Sequence, residues 1–251
     1  MAAFVLTDTS IYAGPLDASC FGDTVALNPA GAVVRKTTFC DGGWESYVPG
    51  MRQWTASWSG PQDMAATAAS AKHTPDEAVA AVGGVLTAWP ILVVPATGAE
   101  GAAAYGGNAM LTAYQPLTGA VGQLARHNVI AGPWLDSPLV RGVLASKQTV
   151  TATGNGTGHQ LGAVTSAQRV WAGVHFLTAG GTTPSCTVVL ESDDNAGFTS
   201  ATTRITFTAA TARGAQWSSL VGPVTDTYWR FRFTVSGTSP SFQIRGFVGI
   251  Q

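Results

Sequence analysis

From Gln53 to Ser59 the chain alternates Trp54, Ala56 and Trp58 with Thr55, Ser57 and Ser59. A period of two sends successive side chains to opposite faces of a pleated strand, so this run predicts a strand with one apolar face. Val34 to Phe39 is rich in β-branched and aromatic residues and predicts a second strand. Between the two lie Asp41, Gly42, Gly43, Pro49 and Gly50, all turn formers. The product expected is a pair of long antiparallel strands joined by a long ordered loop.

Upstream, residues 4–12 predict a short first strand, and Ala13 to Pro29 reads as an extended arm or loop. Downstream, Thr74-Pro75-Asp76-Glu77 has the form of a helix start: a Thr N-cap, proline at the first helical position and carboxylates in the first turn. Ala78, Val79, Ala81 and Val82 follow at helical spacing, and Gly83-Gly84 stops the run. Leu86 to Ala96 predicts a buried strand whose Pro90 and Pro95 place it at an edge or a bulge. Glu100 to Gly107 reads as a Gly/Ala loop. A second hairpin is expected from Asn108–Pro116 and Val121–Ile130, turning at Leu117-Thr118-Gly119-Ala120.

At Lys147 the composition shifts toward Thr and Gly, which places a boundary between residues 1–147 and 148–251. Short strands follow at regular spacing. Val170, Ala172, Val174 and Phe176 alternate with Trp171, Gly173, His175 and Leu177. Cys186 to Glu191 reads as a core strand, and Thr203 to Thr208 alternates. Trp229, Phe231, Phe233 and Val235 alternate with Tyr228, Arg230, Arg232 and Thr234, and an apolar run from Phe247 to Ile250 ends the series. This pattern predicts a jelly-roll or immunoglobulin-like β-sandwich. The chain as a whole is expected to be mainly β: a sandwich or barrel with one flanking helix, then a second sandwich.

Composition narrows the classes. Of 251 residues only 11% are charged, under half the usual share of about 25%. The net charge of −1 offers no basic field to nucleic acid. Residues 1–147 carry ten acidic and seven basic side chains, and residues 148–251 four and six. A mildly acidic first half suits a channel through which DNA slides without sticking, and it equally suits a solvated surface. Cys20, Cys40 and Cys186 are too few and too odd for a disulfide framework; each is expected to be a small buried hydrophobe, with a Cys20–Cys40 bridge left open. The first ten residues lack the pattern of a signal peptide, and no run of eighteen apolar residues is present.

The stretch Val33–Asp63 resembles the tail tube (major tail) proteins of long, non-contractile-tailed bacteriophages. The matching residues are Thr37-Thr38-Phe39, the step Gly42-Gly43-Trp44-Glu45, then Tyr47-Val48-Pro49-Gly50-Met51, and the strand with Trp54, Ser57 and Ser59 ending at Gly60 and Asp63. The same texture also fits a hairpin in any β-sandwich. The resemblance implies a structural virion protein of the tail, assembled in the host bacterial cytoplasm. Its partners would be copies of itself in hexameric rings stacked into a tube, other tail proteins, and DNA passing through the lumen without specific binding, with no membrane partner. Inter-subunit contacts would fall on the two hairpins, through Arg35, Thr37, Phe39, Trp44, Pro49, Gly50, Trp54, Trp58, Tyr114 and Leu124. The second half would be an outward decorating domain.

No catalytic constellation, cofactor site or metal site is expected, so the chain is read as not an enzyme. His73, His127, His159 and His175 are scattered and lack metal-ligand spacing. Gly154-x-Gly156-x-Gly158 precedes no helix and reads as a flexible linker rather than a phosphate loop. Glu191, Asp193, Asp194 and Asn195 have the oxygen chemistry for Ca²⁺ but read as a turn of solvated carboxylates. The alternative function is a carbohydrate-binding or adhesin module. Trp217, in an irregular stretch, would be its exposed stacking platform, whereas Trp229 falls in phase with the core; Arg230 and Arg232 fall on the solvent face of their strand or meet an acidic neighbour.

Overall fold

The computed structural model describes residues 6, 8–37, 40, 44–62, 76, 79, 88–96, 98–135 and 137–251. Their regular structure is almost entirely strand: β1 (Ser10–Ala13), β2 (Leu16–Asp17), a 3₁₀ turn (Ser19–Phe21), β3 (Thr24–Arg35), β4 (Tyr47–Pro61), β5 (Ala88–Val94), β6 (Ala103–Thr118), β7 (Arg126–Pro133), β8 (Val140–Val150), β9 (Gly154–Asn155), β10 (His159–Gln160), β11 (Arg169–Asp193), β12 (Thr202–Thr206), β13 (Gly214–Val221) and β14 (Tyr228–Ile250). The fold is mainly β, as the alternation predicts. The expected helix lies outside the described residues except for Asp76 and Val79, both helical.

Hydrogen bonding links the strands into one network, along the path β12-β11-β14-β8-β6-β5-β1-β2, with β3, β4 and β7 joined through β6. The backbone of the second half is the β11–β14 pair. They run antiparallel from Val170↔Ile250 to Asp193↔Tyr228, with bulges near Phe176, Gly180 and Thr182. Bulges bend a strand without ending it. Here they let each strand serve two layers. The first half of β11 also pairs β13, and its last residues pair β12. The bend depends on glycine: Gly181 and Gly237 hold φ +106 and +111, and a Cβ at either would sit 2.6 Å from the opposite backbone. The two layers enclose a core of Val170, Ala172, Val174 and Phe176 against Val188, Leu190, Phe231 and Phe233.

In the first half a second core gathers Trp54, Trp58, Trp89, Ile91, Leu111 and Val129. A third core, with Tyr12, Leu92, Val140, Leu144 and Phe247, packs against Trp171 and Trp217 and spans both halves. The composition shift at residue 147 falls inside β8, which pairs β6 through Val140–Val143 and β14 through Gly142–Val150.

Several expectations are corrected by the backbone. Ala13–Pro29 is not a loop, since β1 ends in it, β2 lies within it and β3 begins in it. Pro49 and Gly50 are not turn residues; Pro49 pairs with Val33 inside β4. They are tolerated because, among the described residues, residues 47–55 of β4 pair with β3 alone, and a proline fits at such an edge. Ala103–Gly107 is strand, while Val121–Ala125 is the loop of the second hairpin, with β7 starting only at Arg126. β5 is not an edge strand, because β1 and β6 flank it. Pro90 fits because β1 pairs only from Ile91, and beside Pro90 the neighbouring group is the Gly14 N–H, which donates to the Pro90 carbonyl at 2.8 Å. The Gly154–Gly158 stretch is an edge rather than a flexible linker, with Asn155 and Gly154 paired to Arg232 and Phe233. Cys20 and Cys40 are exposed and only Cys186 is buried, where burial raises its thiol to about 11.

Candidate functional site

The most unusual surface is the far end of the β3–β4 hairpin. The two strands pair without interruption from Thr24↔Ser59 to Gly31↔Arg52 and, past a bulge, from Val33↔Pro49 to Arg35↔Tyr47. β7 covers only Ala56–Pro61 of β4. Beyond that point the hairpin is a two-stranded ribbon whose two edges pair with no other strand among the described residues. A ribbon of that kind is marginal in water by itself.

The ribbon is also apolar on both faces. Opposite residues share a face, so Val33, Pro49, Tyr47 and Met51 line one side and Val34 and Val48 the other. Val33, Val34, Tyr47 and Met51 are all exposed, Met51 at 85%, and Trp44 beyond the last pair is 82% exposed. Each such side chain gains about 1.5–3 kcal/mol on full burial. Polar contacts hold the tip in shape: Arg35 meets Glu45 at 3.4 Å, and Tyr47 donates to Glu45, which pushes its phenol above the usual value. The Ser46 N–H donates to the Thr37 hydroxyl at 3.0 Å.

The base of the ribbon is anchored instead of exposed. Trp54 is buried and its indole N–H donates to the Ser137 carbonyl at 2.9 Å. Trp58 is buried edge-on against Trp89. Both tryptophans are therefore part of the core of their own chain. Arg126 forks onto Asp23 and ties β7 to the start of β3, holding the Asp23 carboxyl below its usual range. Tyr114 is half-buried and donates to Asp76; burial, then that carboxylate, raises its phenol.

Of the remaining expected contact residues, Arg35, Trp44 and Pro49 are exposed, and Thr37 and Gly50 are half-buried. Phe39 lies outside the described residues. Leu124 is exposed with Leu117 and Val121 at the β6–β7 turn, a second apolar tip. What sequence reasoning missed is that this tip is a loop, and that Val33, Val34 and Met51 are the exposed members of the ribbon.

The candidate chemistry of the second half resolves into structure. Trp217 is half-buried, stacked on Phe247 at 5.6 Å and Trp171 at 6.1 Å, and seated on Gly173, so it is not a free platform. Trp229 is core, as its phase predicts. Glu191 and Asp193 are buried and not solvated. Glu191 receives Arg230 at 3.0 Å and Arg232 at 2.6 Å, so the arginine pair meets an acidic neighbour, with Arg230 half-buried and Arg232 still exposed to solvent. Asp193 accepts the backbone N–H groups of Asn195 and Ser200. Asp226 is held below the usual carboxyl range by the Ser192 hydroxyl and Arg204. Among the described residues no three His, Cys, Asp or Glu side chains converge as metal ligands.

A groove of about 760 Å³ opens where the ribbon base meets both halves of the chain. Arg52, Trp54, Pro138, Leu139, Arg169 and Trp171 line it. Arg52 and Arg169 are exposed and have no carboxylate partner among the described residues. Arg169 donates to the Ser219 hydroxyl at 3.3 Å.

No family model matches the chain, and no curated protein does. Solved structures similar to it include a chain of the virion of a native gene transfer agent particle, 17% identical over 55% of this chain and 98% of that one, with a TM-score of 0.39. A chain from the tail of an empty gene transfer agent particle, refined with helical C6 symmetry, is 17% identical over 55% and 98%, with a TM-score of 0.38. The Dit protein of phage SPP1, described as a hub of the adsorption apparatus, is 10% identical over 97% and 99%, with a TM-score of 0.35. Such low identities and TM-scores do not establish a family for this chain.

Proposed function

We propose that this chain is a structural subunit of a bacteriophage tail that works by assembly and not by catalysis. Copies associate through the β3–β4 ribbon and the β6–β7 tip into rings, with six copies as the expected number. Stacked rings form the conduit through which DNA leaves the particle, and the second half decorates the outside. Its partners are further copies and other tail proteins, its place is the virion tail, and its assembly occurs in the host cytoplasm.

One observation carries the reading: a ribbon with apolar side chains on both faces and, among the described residues, both strand edges unpaired. Exposed edges and apolar patches are liabilities in a monomer. They become the joint of an assembly when neighbouring copies cover them, and a closed ring leaves no edge open. The low charge of the chain and the resemblance of Val33–Asp63 to tail tube proteins agree with this role.

Negative-stain electron microscopy with light scattering on the purified chain tests it. Rings or tubes of uniform diameter are expected, spontaneously or after addition of a tail-tip seed. A monomer at high concentration that also ignores the seed overturns the reading.

A further inference from the structure

We infer that the ribbon tip of one copy, with Trp44 as its knob, docks in the groove at the ribbon base of the next copy. This deepens the ring-assembly reading and rests on it. The partner is a second copy of this chain, and three observations select it.

The first is complementary shape. Trp44 is 82% exposed, whereas Trp54, Trp58, Trp89 and Trp229 are buried. The groove, about 760 Å³, is within the range of roughly 300–1,000 Å³ for built binding pockets, and its floor is aromatic and proline-rich through Trp54, Trp171 and Pro138. Tryptophan is one of the residues enriched at interface hot spots, which sit in well-packed, desolvated pockets.

The second is charge. Glu45 sits beside Trp44, and its present partners are the exposed Arg35 and Tyr47. An exposed pair of that kind is weak and exchangeable. The groove brings Arg52 and Arg169, two exposed guanidiniums without a carboxylate partner among the described residues. Glu45 can thus exchange Arg35 for these two guanidiniums, while Arg35 and Lys36 keep the tip, among the described residues, cationic as a whole.

The third is reach. Ala30 and Gln53 line the groove and are paired, and Arg35↔Tyr47 is the last pair toward the tip. Five residues of antiparallel strand span about 17 Å. A hydrogen-bonded ribbon does not fold back on its own base, so a chain's knob is kept from its own groove. The contact must be made between copies. It joins two different patches, so it repeats head to tail, and it yields a ring when the rotation closes.

The test uses two variants of the full chain. Trp44→Ala with Glu45→Ala removes the knob, and Arg52→Glu with Arg169→Glu spoils the groove. All four positions are exposed, and thermal unfolding checks that the fold is kept. If the groove variant melts early, Gln53→Trp, which fills the groove from an exposed strand position, replaces it. Each variant alone is expected to raise the critical concentration for assembly roughly tenfold or more. An equimolar mixture is expected to give dimers and nothing longer by sedimentation velocity, because one intact knob meets one intact groove. Normal assembly of either variant, or a mixture that stays monomeric while wild type assembles, overturns this contact and leaves the ring reading standing. Wild type that fails to assemble even with a seed overturns both.

Discussion

His175 Nδ1 lies 2.7 Å from the carbonyl oxygen of Gly14, a residue 161 positions earlier in the chain. A carbonyl only accepts, so Nδ1 carries the proton and the ring is neutral with Nε2 unprotonated. The ring is fully buried, and Nε2 has no partner among the described residues. Tyr12 and Arg245 pack beside it, with the Arg245 guanidinium over the Tyr12 ring. This one contact pins the β1–β2 turn to β11.

It sets a pH dependence. Burial pushes His175 down to about 4, and the nearby Arg245 adds to this. Between pH 6.5 and 4 the unfolded chain therefore binds a proton that the folded chain refuses, so stability falls as pH falls. The full loss by pH 4 is roughly 3 kcal/mol, at about 1.4 kcal/mol for each unit of separation. His175→Gln can keep a donor for Gly14 and cannot titrate. Urea unfolding across this window should give a steep pH dependence for the wild type and a flatter one for the variant. Equal slopes would show that His175 does not titrate with unfolding.

A second prediction concerns Glu191. It is 4% exposed and faces Arg230 and Arg232, and Arg230 lies over the Phe198 ring at 4.2 Å. Removing one partner of a buried pair strands the other charge. Glu191→Ala should therefore cost about 3–5 kcal/mol. Arg232→Ala should cost less than about 1 kcal/mol, since its side chain is 45% exposed and water can screen it. Chemical denaturation of both variants reads the ratio, and equal costs would deny Glu191 its central place.

A third turns on β8, the strand that joins the two halves. A Cβ on Gly142 would lie 2.1 Å from the Val248 carbonyl oxygen, while one on Gly31 would meet nothing within 4 Å. Gly142→Ala must push β8 away from β14 and should lower the melting temperature by several degrees or prevent folding. Gly31→Ala should leave stability within about 0.5 kcal/mol, as surface substitutions usually do. Scanning calorimetry separates the two, and a harmless Gly142→Ala would contradict the β8–β14 register.

The alternation of Val170, Ala172, Val174 and Phe176 was readable because all four face one core. Its partner face was less so: His175 and Leu177 are also buried, because the first half of β11 is covered on both sides. The continuity of β11 through Thr178–Ser185 was hidden, since Gly180, Gly181 and Pro184 look like breakers in isolation. They act as a bend only because Gly237 and Ser239 opposite take matching left-handed conformations. Pro49 and Gly50 misled in the same way, since a proline in a strand is harmless only where a free edge removes the need for its N–H. Edges are a property of the sheet and not of the local sequence. The assembly surface was legible as a region and not residue by residue, because alternation marks two faces without saying which is covered.

That ambiguity yields the last prediction, on the two tryptophans of the hairpin that look alike in sequence. Trp54 is 3% exposed, holds the Ser137 carbonyl at 2.9 Å and packs in the first-half core. Truncating it leaves a large cavity and an unpaired carbonyl, so Trp54→Ala should cost about 3–5 kcal/mol and lower the yield of folded protein. Trp44 touches water on most of its surface, so Trp44→Ala should leave the melting temperature unchanged and weaken self-association instead. Thermal unfolding and sedimentation velocity on the same two samples give a crossed result if the ribbon tip is an interface and its base a core. If Trp44→Ala destabilised the monomer as much as Trp54→Ala, the tip would be packed against its own chain, and the case for an exposed joint would be lost.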